Sequence, residues 1–151
     1  MVLSLSEIFE SKTILTDIAG TTKEAVFSEL ADVIAADHPE CNKPAMLAAL
    51  WEREKKLSTG IVSGVAIPHA ICGGIGTIAG AVGISRAGID YDALDKKPVY
   101  VIFMLVMGEG AKENHLCILD RIFSLVRTDA LTLIKDAKNA QDVHAVLSGF
   151  N

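Results

Sequence analysis

The feature that most narrows the possible folds is a nine-residue apolar run, Val99–Met107 (VYVIFMLVM), introduced by Pro98. An unbroken run of this length is what a strand covered on both faces requires, so it predicts a mid-sheet strand with helices above and below. It is the longest apolar run in the chain and falls far short of the roughly 20 residues that span a bilayer.

The flanking segments carry the two periodicities that such a fold needs. Residues 13–16 (TILT) read as a short first strand. Ile78, Gly80, Val82 and Ile84 alternate with Ala79, Ala81 and Gly83, which predicts a strand over 77–85 with small residues on one face, where another element comes close. Val26, Phe27, Leu30, Val33 and Ile34 recur at helical spacing up to Asp37, behind a capping box of Thr21 with Glu24. A second helix starts near Asn42, with Pro44 in its first turn and Met46, Leu47, Leu50 and Trp51 as its buried stripe. The charge cluster Glu52–Lys56 that follows reads as a solvated face. His38 reads as a solvated helix end. Residues 71–76 and 108–112 read as loops, and 86–97 as a polar, turn-rich connection.

Beyond residue 112, His115, Leu119, Ile122 and Val126 share one row of a helix, with Leu116 and Phe123 beside it. Asp129 is placed to cap a further helix, and Asn139 with Asp142 to start a last one that Gly149 stops, with His144 on its surface. Strands interleaved with helices give an α/β layered sandwich. At 151 residues, with no repeat, linker or low-complexity tract, residues 1–151 are expected to form a single domain.

Composition excludes several functions. A net charge of −5 argues against nucleic acid and against anionic membrane surfaces, both of which need a basic footprint. The N-terminal MVLSLSEIFESK lacks a basic region followed by a cleavage site, so no signal peptide is expected. Cys41, Cys72 and Cys117 are odd in number and widely spaced, which suggests neither a disulfide framework nor a zinc knuckle. A reducing cytoplasm is the expected compartment.

The candidate site lies in Leu57–Ala70 (LSTGIVSGVAIPHA). Ser58, Thr59 and Gly60, then Ser63 and Gly64, form polar turns before the apolar Val65-Ala66-Ile67. Pro68 restricts Ile67 to extended geometry and stops the strand, so that His69 projects from a stiff strand end. A neutral imidazole at cellular pH can attack an activated phosphorus in line and hold the phosphoryl group. Such a site also needs donors for phosphoryl oxygens, from Ser58, Thr59, Gly60, Ser63 and Gly64, and a planar cation, for which Arg53 is nearest in sequence. His115 is the candidate second histidine, either orienting the first or contacting the phosphoryl group; its alternative is a satisfied histidine at the core edge. Three other chemistries compete. A Cys–His hydrolase would use Cys72 with His69 or His115, but its neighbours Ile71 and Gly73 give no reason for a reactive thiolate. A metal site of His69, Cys72 and His115 is an incomplete ligand set. Gly74–Ala79 matches a dinucleotide loop formally, with Asp95 at a plausible distance, but a strand pattern follows where that motif needs a helix.

The segment REKKLSTGIVSGVAIPHA closely resembles the active-site segment of the enzyme IIA proteins of the bacterial phosphoenolpyruvate-dependent phosphotransferase system, in the fructose/mannitol/nitrogen-regulatory branch. GIDYDALDKKPV and NHLCILDRIFSLV resemble further parts of the same family, so the likeness runs over most of the chain. It implies a mixed sheet between helices, no metal and no organic cofactor. It implies that His69 takes a phosphoryl group from the phosphocarrier HPr and, in transport members, passes it to a cysteine of an enzyme IIB. Arg53 and His115 would flank the phosphorylated ring. The output is either transport or nitrogen-type regulation, with regulation favoured because no IIB- or IIC-like sequence follows; a non-catalytic binding module is the further alternative. Ile61, Val62 and Ile71 are the expected docking patch for HPr. Val62-Ser63 stand where the family motif has Gly-Asn, and Ala70 where it has glycine, and Val62 makes the turn less permissive.

Overall fold

A computed structural model describes residues 3–61 and 63–150. Two strands form its centre. β4 (Ile78–Ile89) and β5 (Val99–Met107) pair antiparallel, with Val82 opposite Phe103. β1 (Ile14–Leu15) adds to β4 in parallel, while β2 (Val65–Ala66) and β3 (His69–Ile71) both add in parallel to the far side of β5. The sheet is therefore mixed, and β5 is interior as its composition requires.

Alternation along β5 divides the core. Val101, Phe103, Leu105 and Met107 face one side, with α1 (Leu5–Ile8), α4 (Lys112–Val126), α5 (Ala130–Lys135) and α6 (Ala140–Ser148) supplying that layer. Ile102, Met104 and Val106 face the other, against α2 (Lys23–Asp37) and α3 (Lys43–Lys56), and Val99, ahead of the alternating stretch, joins that side. This is the three-layer sandwich that the sequence implied. The close approach expected at β4 is present as well. A Cβ on Gly80 would lie 2.5 Å from the Phe9 ring, which itself packs edge-on against Phe103 at 5.7 Å. No helix among the described residues is long and apolar enough to cross a membrane.

Several local expectations are corrected. Thr22, not Thr21, caps α2, its hydroxyl accepting from the Ala25 amide. Helix α1, with Ser4 and Glu7 in a reciprocal capping box, was not expected. The first strand is shorter than TILT, because Ser11–Thr13 form a 3-10 turn. β4 runs past Ser85 to Ile89 through an irregularity in register, with Arg86 and Ala87 exposed. Asp129 occupies the cap position of α5, but the Thr128 hydroxyl accepts from the Ala130 amide instead. His144 is half-buried, its Nε2 lying 3.0 Å from the Ser6 carbonyl.

Candidate functional site

Pro68 is the pivot of the site. It interrupts what would be one edge strand, so β2 ends at Ala66 and β3 begins at His69, both paired to β5. His69 thus opens a second ladder opposite Leu105 rather than closing the first, which corrects the strand-end placement. The Ile67 carbonyl, between the two ladders, accepts a hydrogen bond from His69 Nδ1 at 2.8 Å. A carbonyl only accepts, so Nδ1 carries the proton and Nε2 keeps its lone pair. This tautomer is fixed by backbone geometry.

The ring is half-buried and faces a hollow of about 420 Å³ lined by Arg53, Lys56, His69 and His115 among others. The two imidazoles stand with centroids 5.0 Å apart and planes at 53°. His115 enters from the first turn of α4, and its Nε2 is buried without a hydrogen-bond partner. A buried polar atom left unpaired is costly, so this nitrogen can pair with an incoming polar group. Arg53 reaches the same hollow from the last turn of α3. One of its N–H groups donates to the Leu57 carbonyl at 2.8 Å, which holds the fork in place and leaves its other donors available.

Burial and nearby charge favour the neutral form of both rings. Burial is the main cause that depresses the His69 pKa; its bond to the Ile67 carbonyl pulls upward, the Arg53 charge lowers it further, and Glu54 raises it least. His115 is depressed by burial first, then by His69 and Arg53. A hollow that opposes protonation of its histidines while presenting a guanidinium can receive an anion beside an imidazole nitrogen.

Residues 7–149 match the family model described as "Phosphoenolpyruvate-dependent sugar phosphotransferase system, EIIA 2". The chain belongs to this family. Among its relatives, the nitrogen regulatory protein of Pseudomonas aeruginosa is 31% identical, over 97% of this chain and 96% of that protein. A fructose-specific EIIA component of Haloferax volcanii is 32% identical over 97% and 96% of the two. The fructose-specific EIIABC component of Bacillus subtilis is 32% identical over 99% of this chain, which spans only 23% of that longer protein. The crystal structure of the nitrogen regulatory protein IIA-Ntr of Neisseria meningitidis superposes with a TM-score of 0.89 at 29% identity, over 95% of this chain and 98% of the other. IIA mannitol from Escherichia coli shares the fold, with a TM-score of 0.75 at 11% identity, over 90% and 96%.

Within this EIIA domain, the expected phosphoryl-binding loop divides. Ser58 and Thr59 line a second, smaller hollow of about 130 Å³ that shares Arg53 and His69 with the first. The Ser58 hydroxyl there accepts from the Gly60 amide. Thr59 turns its polar groups inward. Its amide and hydroxyl both donate to the Glu54 carboxylate, at 2.9 and 2.6 Å. Gly60, Ser63 and Gly64 line neither hollow. Gly60 is required by packing, since a Cβ there would collide with Tyr91 and Ala93. Ser63, at φ 60°, occupies the left-handed region, followed by Gly64 at φ 78°. Ser63 therefore takes a conformation that asparagine, the family's residue there, tolerates better. Ala70 is buried in β3, and Val62 lies outside the described residues.

The rival chemistries find little support in the geometry. Cys72 is buried and lines neither hollow that holds His69. Burial pushes the Cys41 thiol up to about 11. No group of three or more potential ligands is arranged for a metal among the described residues. Glu54 is a buried neighbour of the site that the sequence does not single out, because it sits in a charge cluster that looks uniformly solvated. The signal was present: Met46, Leu50 and Glu54 are four residues apart and fall on one buried row.

Proposed function

We propose that His69 is the phosphoryl acceptor of this EIIA domain, taking the group on Nε2 and relaying it or displaying it as a signal. The observation that carries this is the hydrogen bond from Nδ1 to the Ile67 carbonyl, which leaves Nε2 as the nucleophilic nitrogen beside Arg53 and His115. The Nε2 lone pair attacks phosphorus in line as the P–N bond of the donor phosphohistidine breaks, and the donor ring keeps the bonding pair. Positive charge grows on the His69 ring as the new bond forms, and the Ile67 carbonyl on Nδ1–H stabilises it. Arg53 and His115, with its proton on Nε2, donate to the phosphoryl oxygens. No metal or organic cofactor takes part.

The donor is HPr, and the reaction is cytoplasmic. The docking face includes Ile71, which is exposed, and the half-buried Ile61. We take nitrogen-type regulation as the output, on the strength of the close three-dimensional match to IIA-Ntr. Transport through an enzyme IIB cysteine is the second reading, supported by the fructose-specific relatives and by the fold shared with an IIA mannitol solved in complex with phosphorylated IIB mannitol. Incubation with phosphoenolpyruvate, enzyme I and HPr should give an acid-labile, base-stable phosphoprotein that His69→Ala abolishes. His115→Ala should slow labelling without preventing it. A label that survives in His69→Ala refutes the assignment. No label on the native protein would mean a binding module on this fold. Drainage of the label to a fructose-type IIB would make transport the output.

A further inference from the structure

Behind the site lies a buried ion pair that neither the fold nor the phosphoryl chemistry uses directly. Glu54 is buried within the last turn of α3, its side chain only 3% exposed. Its carboxylate meets Lys23 Nζ at 2.7 Å and accepts from both the amide and the hydroxyl of Thr59. Because the Thr59 hydroxyl spends its hydrogen on Glu54, the Tyr91 hydroxyl 2.8 Å away must donate to Thr59. The Lys23 ammonium also sits over the Tyr91 ring, 4.2 Å from its centroid. Removing two charges from water is costly, and an ion pair at such a depth is weak evidence of stabilisation. Its value must lie in what it holds.

The hydrogen bonds continue toward the nucleophile. The Thr59 carbonyl accepts from the Ile67 amide at 3.0 Å, and the Ile67 carbonyl accepts from His69 Nδ1 at 2.8 Å. The chain from Lys23 through Glu54, Thr59 and Ile67 to His69 is thus unbroken, with every member half-buried or buried. Ile67 precedes Pro68, whose nitrogen carries no hydrogen, so the carbonyl that receives His69 is positioned through Thr59 and the ladder beyond Pro68.

We propose that Glu54, clamped by Lys23, is a positioning residue for phosphoryl transfer: through Thr59 and Ile67 it fixes the tautomer and direction of the His69 ring. It touches neither phosphorus nor the partner. The assignment rests on His69 being the acceptor, but its first readout is the ring itself and needs no phosphorylation.

The test uses Glu54→Gln, Thr59→Val and Thr59→Ser, each checked for native circular dichroism. Ring nitrogen chemical shifts report the His69 tautomer in the free protein, and steady-state transfer from phospho-HPr reports rate and apparent affinity. In Glu54→Gln and Thr59→Val, the ring is expected to populate both tautomers, and kcat to fall about tenfold to a hundredfold with KM for phospho-HPr unchanged. Thr59→Ser keeps the hydroxyl and should behave as the native protein. If Glu54→Gln does not fold, Thr59→Val, which keeps the shape and removes only the hydroxyl, decides alone. A folded variant that keeps the single Nδ1–H tautomer overturns the proposal, whatever its rate. Mixed tautomers with an unchanged kcat, or a Thr59→Ser protein as impaired as Thr59→Val, overturn it equally. Label persisting in His69→Ala would instead remove the acceptor assignment while leaving the tautomer result standing.

Discussion

Replacing Gly60 with alanine separates a phosphate-cradling glycine from one that the core demands. A Cβ at this position would lie 2.7 Å from Tyr91 Cδ1, 2.8 Å from Ala93 Cβ and 2.9 Å from Ala93 Cα. Two of these atoms cannot be moved by a rotamer change, so the turn itself must shift. Overpacking of this kind costs about 1–3 kcal/mol. Restricting the unfolded chain returns about 0.4–1 kcal/mol, which leaves a net loss of up to about 2.6 kcal/mol. At about 2–4 °C per kcal/mol for a chain of this size, the melting midpoint should fall by up to about 10 °C. Gly73→Ala is the matched control, because nothing lies within 4 Å of its Cβ position and its φ is not left-handed. That variant should match the native protein or gain up to about 1 kcal/mol. Urea and thermal melts of the two variants decide the point. Equal stability of Gly60→Ala and Gly73→Ala would refute the packing argument.

Other perturbations have equally direct outcomes. Ser63→Asn should stabilise by up to about 1 kcal/mol in urea melts, since Ser63 sits at φ 60° and asparagine visits the left-handed region more readily; a loss of stability would contradict this backbone reading. His69 and His115 are both depressed below 6.5, so the stability they confer is complete above that value and is lost as pH falls through it toward their folded values, where the unfolded chain takes protons that the folded rings refuse. The urea midpoint should therefore fall on acidification below about pH 6.5, and fall less in a His69→Gln/His115→Gln double variant; an identical pH profile for the two proteins would exclude these rings as the cause. Arg53→Lys keeps the charge but loses the planar fork, and should slow phosphoryl acceptance on the order of 10²-fold; transfer kinetics at the native rate would show that a point charge suffices.

The layers of the fold were legible because burial on two faces leaves an unmistakable pattern in β5, and because α2 and α3 carry regular apolar rows. The far end of β4 was not. Arg86 and Ala87 are exposed, and Arg86 donates to the Lys135 and Ala137 carbonyls at the end of α5, so burial selects no apolar residues there and the segment reads as a turn. Pro68 was read correctly as a break but not as a hinge between two ladders on the same neighbour, since pairing to β5 is a property of the tertiary structure. At the site, the three residues with charge or nucleophilicity, Arg53, His69 and His115, could be proposed from residue type and spacing. The division of labour in the turn could not. Whether Thr59 faces phosphate or Glu54 depends on Tyr91, distant in sequence, and on a carboxylate camouflaged by its charged neighbours.

The most direct test of the central claim is the position of phosphorus on the imidazole. The protein phosphorylated through enzyme I and HPr can be studied by phosphorus and nitrogen NMR, with the ring labelled. Phosphorus bonded to Nε2 of His69, with Nδ1 still protonated against the Ile67 carbonyl, is the predicted result. Phosphorus on Nδ1, or on any side chain other than His69, would contradict it.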